Sequence, residues 1–142
     1  MCNELLILGK YDHNNGIVFG LNYKSIPEGL TGVSVNQIYY DVQLLSVYDN
    51  SKIGTIKFID TIQKEVTNEK TYYVIENITI NIDLGGTIYA NNYYSGKSYS
   101  YTPGDKIIIP ITSCTGNFVG KKGYIVIDVT ENIRYVTIRL DD

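Results

Sequence analysis

The chain has 142 residues, of which 44% are hydrophobic, and its formal net charge at pH 7 is -3. This length suffices for one domain with one hydrophobic core, so we expect a single domain over residues 1–142. The charge lacks the basic excess that favours nucleic-acid binding, so no nucleic-acid partner is expected.

The start of the chain does not resemble a targeting segment. Residues 1–8 contain no basic side chain, and their apolar run is too short for a signal peptide or a membrane span. We therefore expect no signal peptide, no membrane partner and a cytoplasmic or virion-associated location. The cysteines, Cys2 and Cys114, lie far apart and give neither a disulfide framework nor a zinc spacing, which favours a reducing compartment.

The N-terminal third predicts a hairpin followed by a loop. Residues 5–11 and 17–23 are rich in strand-forming side chains and flank Asn15-Gly16, a strong signal for a tight hairpin turn. Residues 24–36 contain Pro27, Gly29 and Gly32 without a clear period, so this stretch is predicted to be a connecting loop. Residues 1–37 as a whole are thus an N-terminal hairpin and loop.

The remainder predicts further strands and no helix, since no stretch has a helical period over ten or more residues. A charged turn is expected at 64–70 and a tight turn at Gly85-Gly86. The predicted strands cover residues 38–48, 53–63, 72–84, 87–94, 106–112, 124–129 and 133–140. Eight or nine strands without helices favour an antiparallel barrel or sandwich, and we predict an all-β, eight-stranded antiparallel barrel.

A glycine-rich loop separates two of the strongest predicted strands. Gly116, Gly120 and Gly123 punctuate it, and Phe118 stands between the first two. Glycine adopts positive φ without a steric penalty, so this loop is expected to turn at its glycines and to pack Phe118 over one end of the sheet.

The same loop carries a resemblance to a known family. Residues 111–123 read Ile-Thr-x-x-Thr-Gly-x-Phe-x-Gly-x-x-Gly, which resembles the signature ITGGTGxFxGAxG of the allene oxide cyclase and dirigent barrel superfamily. Ser113 and Cys114 replace its double glycine. The stretches 54–60, 72–84 and 86–90 follow in the order of that family's middle strands, and the match covers roughly residues 38–140, with an insertion around 93–101.

Strand alternation brings two carboxylates together. Asp60 occupies the same face as Ile56, Phe58 and Ile62, and Glu76 the same face as Val74 and the isoleucines that follow it. A hairpin centred on Asn68 places Asp60 opposite Glu76. Two such groups on an apolar face cannot both remain ionised at low cost, so one is expected to be a general acid and the other a base. The alternative is that each is satisfied by a loop amide or a lysine.

The last predicted hairpin places Asp128 opposite Arg134. If Val129 pairs with Ile133 around a three-residue turn, Asp128 and Arg134 form a cross-strand pair. An exposed ion pair of this kind contributes at most about 1 kcal/mol. The resemblance implies a second possibility, because dirigent-type barrels use acidic residues and an arginine from these strands in their pocket. Asp128 and Arg134 are therefore candidate catalytic residues.

Aromatic side chains complete the candidate site. Phe58 and Tyr72 share the faces that carry the carboxylates, and together with Tyr124 they are candidate ligand-binding residues. The single histidine, His13, lies in a predicted turn, so no metal site is predicted. No cofactor is expected, and Cys114 is interpreted as a small residue in the glycine loop.

Two functions remain open on the sequence. The resemblance implies a barrel that binds a hydrophobic or phenolic small molecule and steers its cyclisation or coupling, assembled as a homotrimer. The alternative is a non-catalytic structural or assembly protein, for example a viral or oligomeric coat component, built on the same barrel. Whether the protein is an enzyme is left open.

Overall fold

The computed structural model describes residues 4–21, 33–65, 71–96 and 101–142. These residues form nine strands and two 3-10 turns, His13–Asn15 and Gly116–Phe118. The strands are β1 Glu4–Asp12, β2 Ile17–Leu21, β3 Val33–Ser46, β4 Lys52–Glu65, β5 Tyr72–Ile82, β6 Gly86–Gly96, β7 Lys106–Cys114, β8 Lys122–Val129 and β9 Ile133–Asp141. In the described part of the chain, no helix is long and apolar enough to span a membrane.

Eight of the strands close into an antiparallel barrel. Their order around the ring is β1-β9-β8-β7-β6-β5-β4-β3, and β1 returns to β3 through the pairs Gly9–Ser46 and Lys10–Leu45. The ninth strand, β2, lies alongside β3, where Ile17 is opposite Asp41. The all-β, eight-stranded antiparallel barrel predicted from the sequence is confirmed, with β2 as an additional strand.

The predicted N-terminal hairpin is wrong. In the described residues β1 pairs with β9 and β3, whereas β2 pairs with β3. A tight Asn-Gly hairpin turn needs positive φ, but Gly16 is extended at φ -78°. The side chain of Asp12 instead accepts a hydrogen bond from the backbone N–H of Asn14 and starts a 3-10 turn. This turn directs β2 away from β1.

The region before β3 also differs from its prediction. Residues 33–36, which were expected in a loop, belong to β3, and Val33 is opposite Glu65 of β4. Pairing along the whole of β4 outweighs the weak local alternation of this stretch. The rest of the predicted loop, residues 24–32, and residues 66–70 of the predicted charged turn lie outside the described residues.

One half of the barrel interior is filled by aliphatic side chains. Inward-facing positions alternate with outward-facing ones along each strand, as the pleat requires. Fully buried side chains in this half include Leu44, Ile56, Ile80, Ile88, Ile125, Ile138 and Leu140. Burying one such side chain contributes about 1.5–3 kcal/mol, so this half supplies much of the stability.

The glycine loop seals the aliphatic end of the barrel. Gly116 and Gly120 have positive φ values of 64° and 79°, and Phe118 between them is only 6% exposed. The Phe118 ring lies over Gly85, where a methyl group would come within 2.9 Å of the phenyl ring. The predicted turns at two glycines and the predicted aromatic plug are confirmed, and the interior is left to open at the opposite end.

Candidate functional site

A cavity of about 290 Å³ lies in the half of the barrel opposite Phe118. Aromatic rings dominate its walls, and three of its side chains are aspartate, glutamate and arginine. The lining residues are Tyr11, His13, Val18, Ile38, Tyr40, Phe58, Asp60, Glu76, Tyr94, Tyr101 and Arg134. Since small-molecule sites are typically concave, largely apolar and equipped with a few polar groups, this cavity is the candidate functional site.

Asp60 and Glu76 lie side by side in the cavity wall. They are directly opposite in the β4–β5 ladder, as the sequence predicts, and Glu76 is 3% exposed. Burial, followed by a hydrogen bond to Glu76 and the charge of Glu76, raises the pKa of Asp60 to about 9. Asp60 is therefore the protonated member of the pair at neutral pH.

Glu76 is held by two donors from neighbouring segments. The hydroxyl of Tyr101 donates a hydrogen bond to Oε1 of Glu76. Nδ2 of Asn92 on β6 lies 3.5 Å from the same oxygen and 3.4 Å from the Tyr101 hydroxyl. Two neutral donors thus serve this oxygen of Glu76, whose charge contributes, after burial and the hydrogen bond between the two carboxyl groups, to the raised pKa of Asp60.

Aromatic rings enclose the carboxyl pair on several sides. The rings of Tyr11, Tyr40 and Phe58 pack in tilted pairs, with ring centroids 6.0–6.3 Å apart. Tyr94 and Tyr101 form a second tilted pair at 5.6 Å. Burial raises the pKa of Tyr40 to about 12, so this hydroxyl is neutral under physiological conditions. The aromatic wall therefore presents flat apolar faces and neutral hydroxyl groups.

Within the described part of the chain, three polar atoms in the cavity wall are buried without a hydrogen-bond partner. They are the hydroxyl of Tyr11, Oδ1 of Asp60 and Nε of Arg134. The guanidinium of Arg134 lies near Tyr11 and lowers the pKa of that tyrosine, which opposes the larger rise caused by burial. The distance or angle between the two groups nevertheless falls outside hydrogen-bond geometry. Leaving buried polar groups unpaired costs about 1–3 kcal/mol each, so these atoms mark places where a bound molecule would be stabilised.

Arg134 belongs to the site, but its predicted pairing is wrong. Arg134 is opposite Val129 and Asp128 is opposite Tyr135, one residue away from the expected register. Thr130 closes the turn by donating its backbone N–H to the carbonyl of Ile133, so four residues rather than three separate the paired positions. This extra residue turns Arg134 inward, while Asp128 lies on the outer face of the barrel.

The three candidate ligand-binding residues lie in different surroundings. Phe58 is buried in the cavity wall. Tyr72 is half-buried near the start of β5 and is not part of the described cavity wall. Tyr124 points to the outer surface, where its hydroxyl accepts a 2.7 Å hydrogen bond from Nη1 of Arg139. Arg139 in turn forms an ion pair with Glu4.

Several cavity residues were not identified from the sequence. Tyr11, Tyr40 and Tyr94 occupy inward positions that strand alternation alone could have indicated. Tyr101 lies in the connection before β7 and has no periodic signal. His13, expected to be solvated in its turn, stacks on Tyr40 with ring centroids 5.5 Å apart and forms part of the cavity rim. Burial and the charge of Arg134 lower the pKa of His13, which keeps the imidazole neutral.

The donor set of the cavity does not suit a metal ion. Among the described residues, no group of three or more His, Cys, Asp or Glu side chains lies together as a metal site requires. The carboxyl pair has one protonated member and a basic neighbour, Arg134, which disfavours a cation there.

Comparisons with known proteins relate this chain to others through its fold. No protein-family profile matches the sequence, and no curated protein matches it. Among solved structures, the barrel is similar to a pyocyanin demethylase, with a TM-score of 0.62 and 16% sequence identity. The similarity covers 97% of this chain and 99% of the other. At this identity the likeness establishes a shared barrel fold.

Proposed function

We propose that the protein binds a planar aromatic small molecule in its cavity. The observation that carries this proposal is the combination, in one cavity of about 290 Å³, of aromatic walls with three unpaired polar atoms. A flat ring would pack against the faces of Tyr40 and Tyr94, and its substituents would satisfy the unpaired groups. The structural neighbour's name, pyocyanin demethylase, indicates that a similar barrel acts on a small molecule.

The carboxyl pair gives the cavity a means of proton transfer. Asp60 carries a proton at neutral pH and shares it with Glu76 in their hydrogen bond, while its Oδ1 is unpaired. Asp60 can act as an acid toward a bound ligand when this proton turns from Glu76 to the ligand. Glu76 beside it stabilises the charge change through its own hydrogen-bonded carboxylate. Steering of a cyclisation or coupling reaction, as the resemblance to the allene oxide cyclase and dirigent superfamily implies, is the finer form of this proposal. Asp60 would then be its acid.

A rim substitution tests occupancy of the cavity without disturbing the core. Val18 lines the cavity and is 59% exposed, and its neighbour Ile17 has the same exposure but is not in the cavity wall. We expect Val18→Trp to weaken binding of pyocyanin or of 2-naphthamide at least about tenfold by filling the mouth, whereas Ile17→Trp leaves it within about twofold. Isothermal titration calorimetry measures both. Equal affinity in the two variants, or no binding to the unmodified protein, would refute the proposal.

A further inference from the structure

We infer that Arg134 and Tyr11 form an oxyanion subsite, and that the ligand is an aromatic molecule bearing a carboxylate or phenolate oxygen. This inference rests on the proposed function and specifies the chemical class of the ligand. Its basis is the environment of Arg134, a half-buried cationic group in the cavity wall whose buried Nε has no hydrogen-bond partner among the described residues.

The side chains nearest to the Arg134 guanidinium are mainly uncharged. Its guanidinium carbon lies 5.2 Å from the centre of the Tyr101 ring, a cation–π contact. The other groups on which its charge acts include Tyr11 on β1, Tyr40 on β3, and His13 in the turn. All of these are neutral at physiological pH, and Tyr94, which it also influences, is neutral because burial raises its pKa.

Among the described residues, neither cavity carboxyl group forms an ion pair with Arg134. Asp60 is protonated, and the charge of Glu76 is engaged by Tyr101 and Asn92. The ion pairs found among the described residues join Lys52 to Asp83, Lys121 to Asp142 and Arg139 to Glu4. A partly buried cation without an ion-pair partner is costly, and an anionic ligand at its free Nε would reduce this cost.

The geometry favours an oxygen anion over other anions. The free Nε–H of Arg134 and the free hydroxyl of Tyr11 are two donors at one place, and a carboxylate or phenolate oxygen accepts both. The third unpaired atom, Oδ1 of Asp60, is a hydrogen-bond acceptor and would take a donor group on another part of the same ligand. The cavity therefore distinguishes an anionic end of the ligand from a neutral donor end.

A pair of probes that differ in charge tests the inference. At neutral pH 2-naphthoate carries a carboxylate, and 2-naphthamide presents a neutral group of the same shape. We expect the protein to bind 2-naphthoate at least about tenfold more tightly, because hydrogen bonds to a charged acceptor are about twice as strong as neutral ones. Arg134→Gln should abolish this preference by lowering the affinity for 2-naphthoate at least about tenfold more than the affinity for 2-naphthamide, and Arg134→Lys should retain part of the preference.

Arg139→Gln is the matched control, because Arg139 lies on the same strand but faces outward, beside Tyr124 and Glu4. It should retain the full preference. If both probes bind equally to the unmodified protein, or if Arg134→Gln leaves the preference intact, the oxyanion subsite is refuted while the aromatic cavity stands. If neither probe binds, the proposed function fails, and the subsite fails with it.

Discussion

Asp60 on β4 and Glu76 on β5 are cross-strand neighbours at the wall of the cavity, and they differ in protonation although both are carboxylic acids. Burial raises the pKa of Asp60, and the two groups also have different partners. Glu76 receives the hydroxyl of Tyr101 and lies near the amide of Asn92, whereas Oδ1 of Asp60 has no partner. Asp60 is thus the protonated member of the pair, and Glu76 is the carboxylate that neighbouring donors hold in place.

The protonation of Asp60 predicts a specific dependence of stability on pH. Its pKa is raised from 3.8 to about 9 in the folded protein, so the folded state binds the proton more tightly than the unfolded state. Its stabilising contribution is therefore complete below about pH 4 and is lost as pH rises toward 9, by at most about 1.4 kcal/mol per pH unit. Asp60→Asn, which still donates to Glu76, should flatten this slope in urea melts across that window.

The control for this experiment is Asp128→Asn, which removes a carboxyl group from the outer face. It should keep the slope of the unmodified protein. An Asp60→Asn variant with an unchanged slope would show that Asp60 is ionised in the folded state.

The hydrogen bond between Tyr101 and Glu76 predicts a coupled loss of stability. Tyr101→Phe removes the hydroxyl but keeps the ring beneath Arg134 and against Tyr94. We expect it to cost about 1–3 kcal/mol, because the buried carboxylate loses a donor. In a double-mutant cycle with Glu76→Gln, measured by urea unfolding, the two costs should be clearly non-additive.

Tyr93→Phe serves as the control, because Tyr93 is 64% exposed on β6, the strand that precedes the connection with Tyr101. This substitution should change the free energy of unfolding by less than about 0.5 kcal/mol. Additive effects of Tyr101→Phe and Glu76→Gln would contradict the described bond.

The close approach of Tyr40 to Gly16 predicts that glycine is required there. A methyl group on Gly16 would lie 2.2 Å from the Tyr40 ring, and the ring is held by its 2.7 Å hydrogen bond to the carbonyl of His13. Gly16→Ala should therefore cost about 1–3 kcal/mol by displacing the ring. Gly96→Ala, where no atom of the described residues lies within 4 Å, should be nearly neutral in the same thermal or urea melts. A Gly16→Ala protein of unchanged stability would contradict the packing described for the cavity rim.

The outer surface of the barrel predicts self-association. Leu6 and Ile108 are 45% and 63% exposed on the face formed by β1, β9, β8 and β7, where Tyr124 and Pro110 also point outward. Exposed apolar surface of this kind favours association, and the resemblance to a barrel family that forms trimers leads us to expect a trimer. Sedimentation velocity at micromolar concentration should detect it.

Ile108→Asp should shift this trimer toward the monomer, whereas Ile75→Asp, at a 48% exposed position on β5, should not. A protein that sediments strictly as a monomer before any substitution would overturn the expectation.

The sequence by itself determined the all-β class, the antiparallel barrel, the plug at Phe118 and the meeting of Asp60 with Glu76. These features depend on local patterns, because alternation fixes which face a side chain occupies and a short hairpin fixes its partner. Positive φ at Gly116 and Gly120 is likewise a local requirement that only glycine meets without strain.

Only the tertiary structure decided the pairing of β1, the inward position of Arg134 and the entry of Tyr101 into the cavity. Barrel closure joins β1 to β9 and β3 across the length of the chain, and that burial outweighed the local Asn15-Gly16 turn signal. Arg134 lies on the inner face, because one extra residue in the turn changes the register of the two strands by one and so changes which residue is opposite Arg134. Tyr101 follows no period at all, since its position is set by the hydroxyl's bond to Glu76 from a connection outside the sheet.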